Sequence, residues 1–239
     1  MALNTNRLQT GAAELGLNLD KEQLELFTRF TQWLYKENEK TNLVGSADPE
    51  VILVHHILDS LSVALHLNGF GGAQVIDVGS GAGLPGVPLA IALPDVRFTL
   101  MDASRKRTDF LRSFVEASGL ENIEVARARA EEAGREPKWR DKFDSVVARA
   151  VAPLPTLIEY ALPFLKTGGR LVAQRGPKAP EEVATAARAI KELRGGPAEV
   201  IAVHVPYLDF ERRLVIIEKV GPTPDRYPRR TGVPAKRPL

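Results

Sequence analysis

A glycine-rich turn and two acidic residues carry the clearest chemical signal in this sequence. The run VIDVGSGAGLPG, residues 75–86, passes from an apolar strand through the turn to the start of a helix. Glycines let a backbone adopt positive φ and approach a ligand, and a helix N-terminus offers free N–H groups. Asp102 ends the next apolar segment, where a carboxylate would hold ribose hydroxyls. The turn therefore predicts a site for a cofactor that contains adenosine.

Asp77 distinguishes two such cofactors. Read from Gly81, the residues spell Gly-x-Gly-x-x-Gly, the dinucleotide fingerprint, which is weak evidence alone. Asp77 stands two residues before Gly79, where it would repel a pyrophosphate but attract a methionine ammonium, directly or through water. We therefore expect S-adenosylmethionine, bound by Asp77, Gly79, Gly81, Gly83 and Asp102. NAD, or an ordinary tight strand–helix turn without a ligand, are the alternatives.

Seven short apolar segments, mostly separated by helical stretches, predict the sheet that positions this turn. They are residues 74–79, 97–102, 122–127, 143–148, 170–175, 199–205 and 212–220. Such alternation is typical of a parallel, doubly wound α/β sheet. The connection between the last two is too short for a parallel crossover, so that pair should be antiparallel. We expect the seven-stranded, Rossmann-like sheet of class I S-adenosylmethionine-dependent methyltransferases rather than the all-parallel sheet of nicotinamide enzymes.

Helices are expected before the sheet. Asp20 and Gln23 have the spacing of a capping box, and an apolar stripe follows them at Leu24, Phe27, Phe30, Trp33 and Leu34. Asp48 resembles an N-cap followed by a proline, and its helix would carry an apolar stripe at Ile52, His55, Leu58, Leu61 and Leu65. A glycine-rich break at 69–72 then divides a helical extension, residues 1–69, from a methyltransferase domain, residues 70–220.

The composition limits the class of protein. A chain of 239 residues with 44% hydrophobic residues can bury the core of one α/β domain with a small appendage. The absence of cysteine excludes disulfides and thiolate chemistry, and it fits a reducing cytoplasm. The first ten residues are polar, and no stretch approaches the roughly 20 apolar residues that span a bilayer. We therefore expect a cytoplasmic protein.

Positive charge is concentrated in residues 221–239, here called the C-terminal segment. It contains Arg226, Arg229, Arg230, Lys236 and Arg237 against one acid, Asp225. The segment thus carries +4, while the whole chain carries +2. Its five prolines exclude a helix or a central strand, so we expect an extended basic arm. Contact with nucleic acid phosphate, a solvated terminus, and packing back onto the sheet are the possible roles.

Several further motifs together resemble one known family. They are HILDSL at 56–61, GLPG at 83–86, Asp102 followed by Lys106-Arg107, Ala148-Arg149-Ala150, and Tyr227-Pro228-Arg229. In combination these are similar to the bacterial glucose-inhibited division protein B family, which methylates guanine N7 in 16S ribosomal RNA. The resemblance runs from the helix around Trp33 to the C-terminus. A further segment, 162–172, looks like the helix, glycine turn and strand that follow the catalytic strand in many methyltransferases.

The resemblance implies a set of cofactor contacts. Gly79 and Leu84 would touch S-adenosylmethionine, and Asp102, Ala103 and Ser104 would surround its ribose and adenine. Ala130 and Glu131 would flank the adenine, and Arg149 would sit between the cofactor and the target base. Arg175 stands where the family often has lysine, and we expect it to contact RNA.

Methylation of guanine N7 makes modest chemical demands. The nitrogen is a bare lone pair, so it needs no general base, and the enzyme's task is positioning. The chain lacks the Asn/Asp-Pro-Pro-Tyr/Phe motif of adenine-N6 enzymes; Ala148 to Pro153 stand there instead. Arg149, the expected catalytic residue, could hydrogen-bond the guanine or the cofactor carboxylate, or be a structural ion pair. His56 and Asp59 are expected to form a hydrogen-bonded helix contact, and no metal site is expected.

The sequence therefore predicts an rRNA (guanine-N7)-methyltransferase. Its partner would be 16S ribosomal RNA or the small ribosomal subunit, and the protein would be a monomer. The expected RNA contacts are Lys106, Arg107, Arg175 and the five basic residues of the C-terminal segment. A solvated face is the alternative for Lys106 and Arg107. The alternative functions are methylation of another RNA, a small molecule or a protein, and a non-catalytic RNA-binding module.

Overall fold

One seven-stranded sheet organises the chain. The computed structural model describes residues 3–41, 43–46, 48–69 and 71–239. Its strands are β1 Gln74–Val78, β2 Arg97–Asp102, β3 Ile123–Arg127, β4 Phe143–Arg149, β5 Leu165–Arg175, β6 Glu199–Val203 and β7 Arg212–Glu218. They lie in the order β3-β2-β1-β4-β5-β7-β6. Each strand overlaps one of the seven predicted apolar segments, so the predicted doubly wound α/β sheet is confirmed.

The direction of the strands decides which residues meet at one edge. Strands β1 to β5 are parallel, whereas β7 is antiparallel to both β5 and β6. The predicted antiparallel pair is therefore correct. Because β7 runs against β5, its first residues lie at the edge where the parallel strands end, and Arg213 pairs with Arg175. This carboxyl edge is where doubly wound sheets bind ligands.

Helices cover both faces of the sheet. They are α1 Thr5–Glu14, α2 Lys21–Thr41, α3 Pro49–Val51, α4 Asp59–Leu61, α5 Gly86–Ala92, α6 Arg105–Ser118, α7 Ala130–Ala133, α8 Leu154–Ala161, α9 Ala179–Thr185, α10 Ala187–Glu192 and α11 Val233–Lys236. The N-terminal helices, α5 and α6 share one apolar core, and α7 to α10 pack on the other face. None of the described helices is long and apolar enough to cross a membrane.

The N-terminal helices begin where their caps predict. The Asp20 carboxylate accepts from the Gln23 N–H at 2.8 Å, and Gln23 Oε1 accepts from the Asp20 N–H at 2.9 Å. Asp48 Oδ1 accepts from the N–H groups of Glu50 and Val51. On α2, Phe27, Phe30 and Leu34 are fully buried, with Leu24 and Trp33 packed beside them. The predicted stripe of α2 is correct because every fourth residue or so faces the sheet core.

The stripe predicted for the next helix is wrong in part. Residues Ile52–Leu58, between α3 and α4, form a π-helix instead of a regular α-helix. Wider π turns change which side chains face inward, so His55 is exposed; Leu65, in the 3₁₀ turn that follows α4, is 57% exposed. Leu53, Val54 and Ile57 are buried in addition to the predicted Ile52, Leu58 and Leu61. Phe70, in the glycine-rich break, lies outside the described residues, and the proposed domain boundaries stay predictions.

Two expectations about glycines and prolines also need correction. The glycine turn predicted at 168–169 lies inside β5, whose pairing with β4 shifts register between Phe143 and Ser145. The C-terminal segment does contain a helix, α11, although its prolines led us to expect none. Pro234 occupies the first turn of α11, where a missing N–H costs no helix bond.

Candidate cofactor site

A cleft of about 210 Å³ opens at the carboxyl edge of β1 and β2. Its lining is Val78, Gly79, Met101, Asp102, Ala103, Arg107, Ala128, Arg129, Ala130, Glu131, Val151 and Tyr160. Of the predicted cofactor residues, the fold thus brings together Gly79, Asp102, Ala103, Ala130 and Glu131. Sequence reasoning missed Tyr160, Val151 and Arg129, which belong to no motif that could have marked them.

The glycines of the turn differ in what a side chain at each position would contact. Gly79 has φ of +74°, and a Cβ there would lie 2.9 Å from Cγ2 of Val151, across the cleft. Gly83 has φ of +85°, and its Cβ would strike Val87 and Leu111, so it permits close helix packing. Gly81 also has positive φ, but its Cβ would meet only a backbone oxygen at 3.9 Å. Gly83 and Gly81 do not line the cleft, and Leu84 is buried in the core.

Asp77 lies completely buried beneath the turn. Its Oδ2 accepts a hydrogen bond from the Gly86 N–H, the first residue of α5, at 2.9 Å. Its Oδ1 is buried without a hydrogen-bond partner among the described residues. Burial raises the pKa of Asp77 to about 7, against the lowering effect of the Gly86 hydrogen bond. A carboxyl group with one free oxygen and a raised pKa is suited to receive a cationic group.

Asp102 braces the turn from the neighbouring strand. Its Oδ2 accepts from the Gly81 N–H at 3.0 Å, and its Oδ1 accepts from the Ser104 N–H at 2.8 Å. Arg107 Nη1 lies 3.4 Å from Oδ2. Arg107, expected to contact RNA, therefore borders the cleft and pairs with the acid expected to hold ribose. Ser104 contributes its backbone to this arrangement and does not line the cleft.

Arg149 ends β4 and belongs to a buried charged cluster. Its Nη1 donates to Asp59 Oδ2 at 3.2 Å and to the His55 carbonyl at 3.1 Å. Asp59, which is fully buried, also accepts from Gln174 and from two nitrogens of Arg212. Burial lowers the pKa of Arg149, and Asp59 opposes that shift. Arg149 does not line the cleft, although Val151, two residues on, does.

The expected His56–Asp59 contact is absent, because Asp59 faces the two arginines. The Nδ1 atom of His56 lies 2.9 Å from the His55 carbonyl, and its Nε2 is buried without a partner among the described residues. Burial, with help from Arg149, lowers the pKa of His56 to about 4. His56 is therefore neutral at neutral pH, and its Nδ1 must carry the proton that bonds the carbonyl.

The residues expected to contact RNA divide into two groups. Arg229 and Arg175 are engaged internally: Arg229 makes four hydrogen bonds to Glu159, and Arg175 donates to the Ala152 carbonyl and pairs with Glu182. Arg226 is exposed but pairs with Glu192 at 2.5 Å. Lys106, Arg230, Lys236 and Arg237 are exposed and have no ion pair among the described residues, whereas the exposed Arg107 pairs with Asp102. The described residues contain no group of three potential metal-binding side chains.

Comparisons with known sequences point to one family. The family model of rRNA small subunit methyltransferase G matches residues 23–214. A ribosomal RNA small subunit methyltransferase G from Deinococcus deserti is 45% identical over 237 residues, 98% of this chain and 96% of that protein. One from Pelotomaculum thermopropionicum is 41% identical over the full length of both chains.

Solved structures agree with the fold. A predicted O-methyltransferase from Agrobacterium tumefaciens superposes with a TM-score of 0.54 at 26% identity, covering 69% of this chain and 80% of that one. A SAM-dependent O-methyltransferase from Thermotoga maritima gives 0.53 at 19% identity, covering 80% and 72%. The sheet is therefore that of class I methyltransferases, and the chain belongs to the rRNA small subunit methyltransferase G family.

Proposed function

We propose that the chain methylates N7 of a guanine in 16S ribosomal RNA, with S-adenosylmethionine bound in the cleft. Family membership confirms the prediction of an S-adenosylmethionine-dependent methyltransferase of small-subunit rRNA. The observation that carries the assignment of the site is the pairing of the Asp77–Gly86 turn with Asp102 at the mouth of the cleft. Asp102 and Glu131 in the cleft, with Asp77 beneath the turn, fit a cofactor with an adenosine and a cationic amino acid.

Different residues around the cleft would bind different parts of the cofactor. Asp102 would hold the ribose, with Ala103 beside it, and Ala130 and Glu131 would flank the adenine. The free Oδ1 of Asp77 would face the methionine ammonium, directly or through one water. Gly79, which has no side chain, leaves the backbone open beside Val151. Gly81, Gly83, Leu84 and Ser104 would act by shaping the turn.

The chemistry needs orientation more than proton transfer. When bound, S-adenosylmethionine would supply a sulfonium methyl group, which would pass in line to guanine N7 as its bond to sulfur breaks and S-adenosylhomocysteine leaves. Arg149 is held at the end of β4 by Asp59 and the His55 carbonyl, at the edge where the target base would enter. We assign it the catalytic role of orienting the guanine or the cofactor carboxylate. Guanine N7 carries no proton, so no group here must act as a base. His56, whose pKa the charge of Arg149 helps to lower, is neutral and bonded to the backbone.

Contact with RNA is assigned to the exposed basic side chains. Lys106, Arg230, Lys236 and Arg237 are free to meet phosphates, whereas the Arg229 guanidinium is committed to Glu159. Arg226 would have to exchange Glu192 for a phosphate. We further propose that the protein acts as a monomer without a metal, and in the cytoplasm, where ribosomal RNA is methylated.

Methylation of purified RNA tests this function directly. The chain is incubated with isotope-labelled S-adenosylmethionine and either naked 16S RNA or small subunits from a strain that lacks the enzyme. We expect labelled 7-methylguanosine after nuclease digestion and mass spectrometry. The RNA that is methylated faster shows whether the enzyme acts on naked RNA or on the assembled subunit. Label on another base position, on ribose, or on neither RNA would contradict the assignment. An Arg149→Met variant serves as the matched control with the cleft intact.

A further inference from the structure

The C-terminal segment is packed onto the wall of the cofactor cleft. Arg140 donates to the carbonyls of Thr223 and Tyr227, which hold the start of the segment on the protein surface. Tyr227 is buried, and its hydroxyl donates to Glu192 on α10. The basic sequence of the segment suggested an arm for RNA, yet most of its backbone is engaged within the molecule.

A buried ion pair fixes the middle of the segment. Arg229 binds both oxygens of Glu159 through its guanidinium, and its own N–H donates to the same carboxylate at 2.7 Å. Glu159 is fully buried on α8 and immediately precedes Tyr160, which lines the cleft. Farther along, Thr156 on the same helix donates to the Pro234 carbonyl at 3.1 Å. These contacts join the segment to the helix that forms one side of the cleft.

Two further hydrogen bonds reach the opposite wall. The Gly232 N–H donates to Glu131 Oε1 at 2.9 Å, and the Thr231 hydroxyl donates to Glu132 at 3.0 Å. Glu131 is 6% exposed, and its charge acts on Tyr160. Burial and this acid raise the pKa of Tyr160 to about 12. Glu131 and Tyr160 both line the cleft, so Gly232 is bonded directly to a residue of the cleft wall.

We propose that the C-terminal segment is a positioning element of the cofactor site, and that Gly232 sets the affinity for the adenine end of the cofactor. This inference rests on the function proposed above. Helix α7, which carries Glu131, has only four residues. A helix so short has no stability of its own, so its place depends on contacts from outside. A charge-assisted bond from the Gly232 N–H supplies such a contact.

Gly232 offers a test that does not disturb the core. Its φ is +79°, and a Cβ there would meet nothing within 4 Å. In Gly232→Val the added Cβ meets no neighbouring atom, but a β-branched residue strongly disfavours this φ. The backbone must therefore rotate, which turns the N–H away from Glu131. Gly232→Asn is the matched control, because asparagine tolerates the left-handed region and keeps the N–H in place. S-adenosylhomocysteine binding is measured for both by titration calorimetry, far below the melting temperature of each.

We expect the dissociation constant to rise about tenfold for Gly232→Val and to stay within about twofold for Gly232→Asn. An irreversibly misfolded fraction would lower the stoichiometry and leave the dissociation constant unchanged, and reversible unfolding is negligible far below the melting temperature. In turnover, Gly232→Val should raise the KM for the methyl donor with kcat largely retained. Parental affinity in Gly232→Val, or the same loss in both variants, would overturn the inference. Failure of the parent chain to bind S-adenosylhomocysteine would instead contradict the proposed function.

A second pair of variants separates this role from RNA binding. A chain ending at Arg230 keeps the Arg229–Glu159 pair but loses the contacts with Glu131, Glu132 and Thr156. Its full-length control, Lys236→Gln with Arg237→Gln, removes charge and leaves those contacts in place. We expect weaker S-adenosylhomocysteine binding in the truncated chain alone. Equal affinity in the truncated chain and its control would contradict a positioning role for the segment.

Discussion

Arg149 and Asp59 form an ion pair beneath the carboxyl edge of the sheet, with 3.2 Å between Nη1 and Oδ2. Asp59 comes from the N-terminal helices, and Arg149 comes from the end of β4. Arg212, at the start of β7, binds the same carboxylate at 2.6 and 2.9 Å. Three distant parts of the chain therefore meet at the carboxylate that holds Arg149, the residue that we assign to catalysis.

Substitution of Arg149 should lower the methylation rate, whereas substitution of Arg212 should mainly lower stability. Arg149→Met is expected to lower the single-turnover methylation rate about 100-fold, as removal of one well-placed donor does. Arg212→Met, the matched control, leaves Arg149 bonded to Asp59 and should cost about 3 kcal/mol of unfolding free energy with little change in rate. Rapid-quench kinetics and urea denaturation measure both. An unchanged rate in Arg149→Met would return this residue to a purely structural role.

Affinity for the cofactor should depend on pH through Asp77. Burial raises the pKa of this carboxyl to about 7 in the free protein, so it is largely protonated below that pH. A ligand ammonium favours the carboxylate, so binding below pH 7 must release the proton. We expect the dissociation constant of S-adenosylhomocysteine to rise as pH falls below about 7, approaching tenfold per unit.

The Asp77→Asn variant is the control for this pH dependence. It cannot titrate at this position, so its weaker binding should be nearly flat from pH 5 to 7. Calorimetry in two buffers with different ionisation enthalpies measures the released proton directly. A parental affinity that is constant over the same range would show that Asp77 is already ionised in the free protein.

Methyl transfer itself should be insensitive to pH. Guanine N7 carries no proton, and His56, whose pKa is lowered to about 4, stays neutral throughout the neutral range. With cofactor and RNA saturating, we expect single-turnover rates to vary little from about pH 6 to 9, a range that spans the ordinary pKa of histidine. A log-linear rise of the rate across that range would mean that a general base takes part.

Salt dependence can identify the basic residues that touch RNA. Replacing Arg230, Lys236 and Arg237 with glutamine removes three exposed charges and should weaken the slope of log affinity against log salt by about 2 to 3. The control Arg229→Met with Glu159→Met removes a buried pair without changing net charge, and its slope should match the parent. If the triple variant keeps the parental slope, the phosphate contacts lie elsewhere.

The sequence predicted the fold well because local and global signals agree there. The segment 97–102 is β2 to the residue, and Asp20 with Gln23 forms the capping box that their spacing indicates. Gly79 and Asp102 were recognisable because the turn chemistry of this sheet requires specific residues at fixed spacing. Period and spacing are properties of neighbouring residues, so they can be read without tertiary information.

Residues that act through distant partners could not be predicted in this way. Arg229 looks like one more basic residue of a polar tail, and only the fold shows the buried Glu159 opposite it. Arg212 reaches Asp59 across 153 residues of sequence, and no local pattern relates the two. The π-helix around His55 departs from the ordinary helical period, so that period could not place its side chains.

The cluster around Asp59 also affects the order in which the chain can fold during its synthesis. Asp59 emerges from the ribosome early, while Arg149 and Arg212 follow 90 and 153 residues later. A buried carboxylate without its cations is strongly unfavourable, so docking of the N-terminal helices becomes favourable only as Arg149, and then Arg212, are made. Contacts this far apart in sequence form slowly and late. A nascent chain that stops before β7 therefore holds every residue that lines the cleft but lacks Arg212, one of the two cations that balance Asp59.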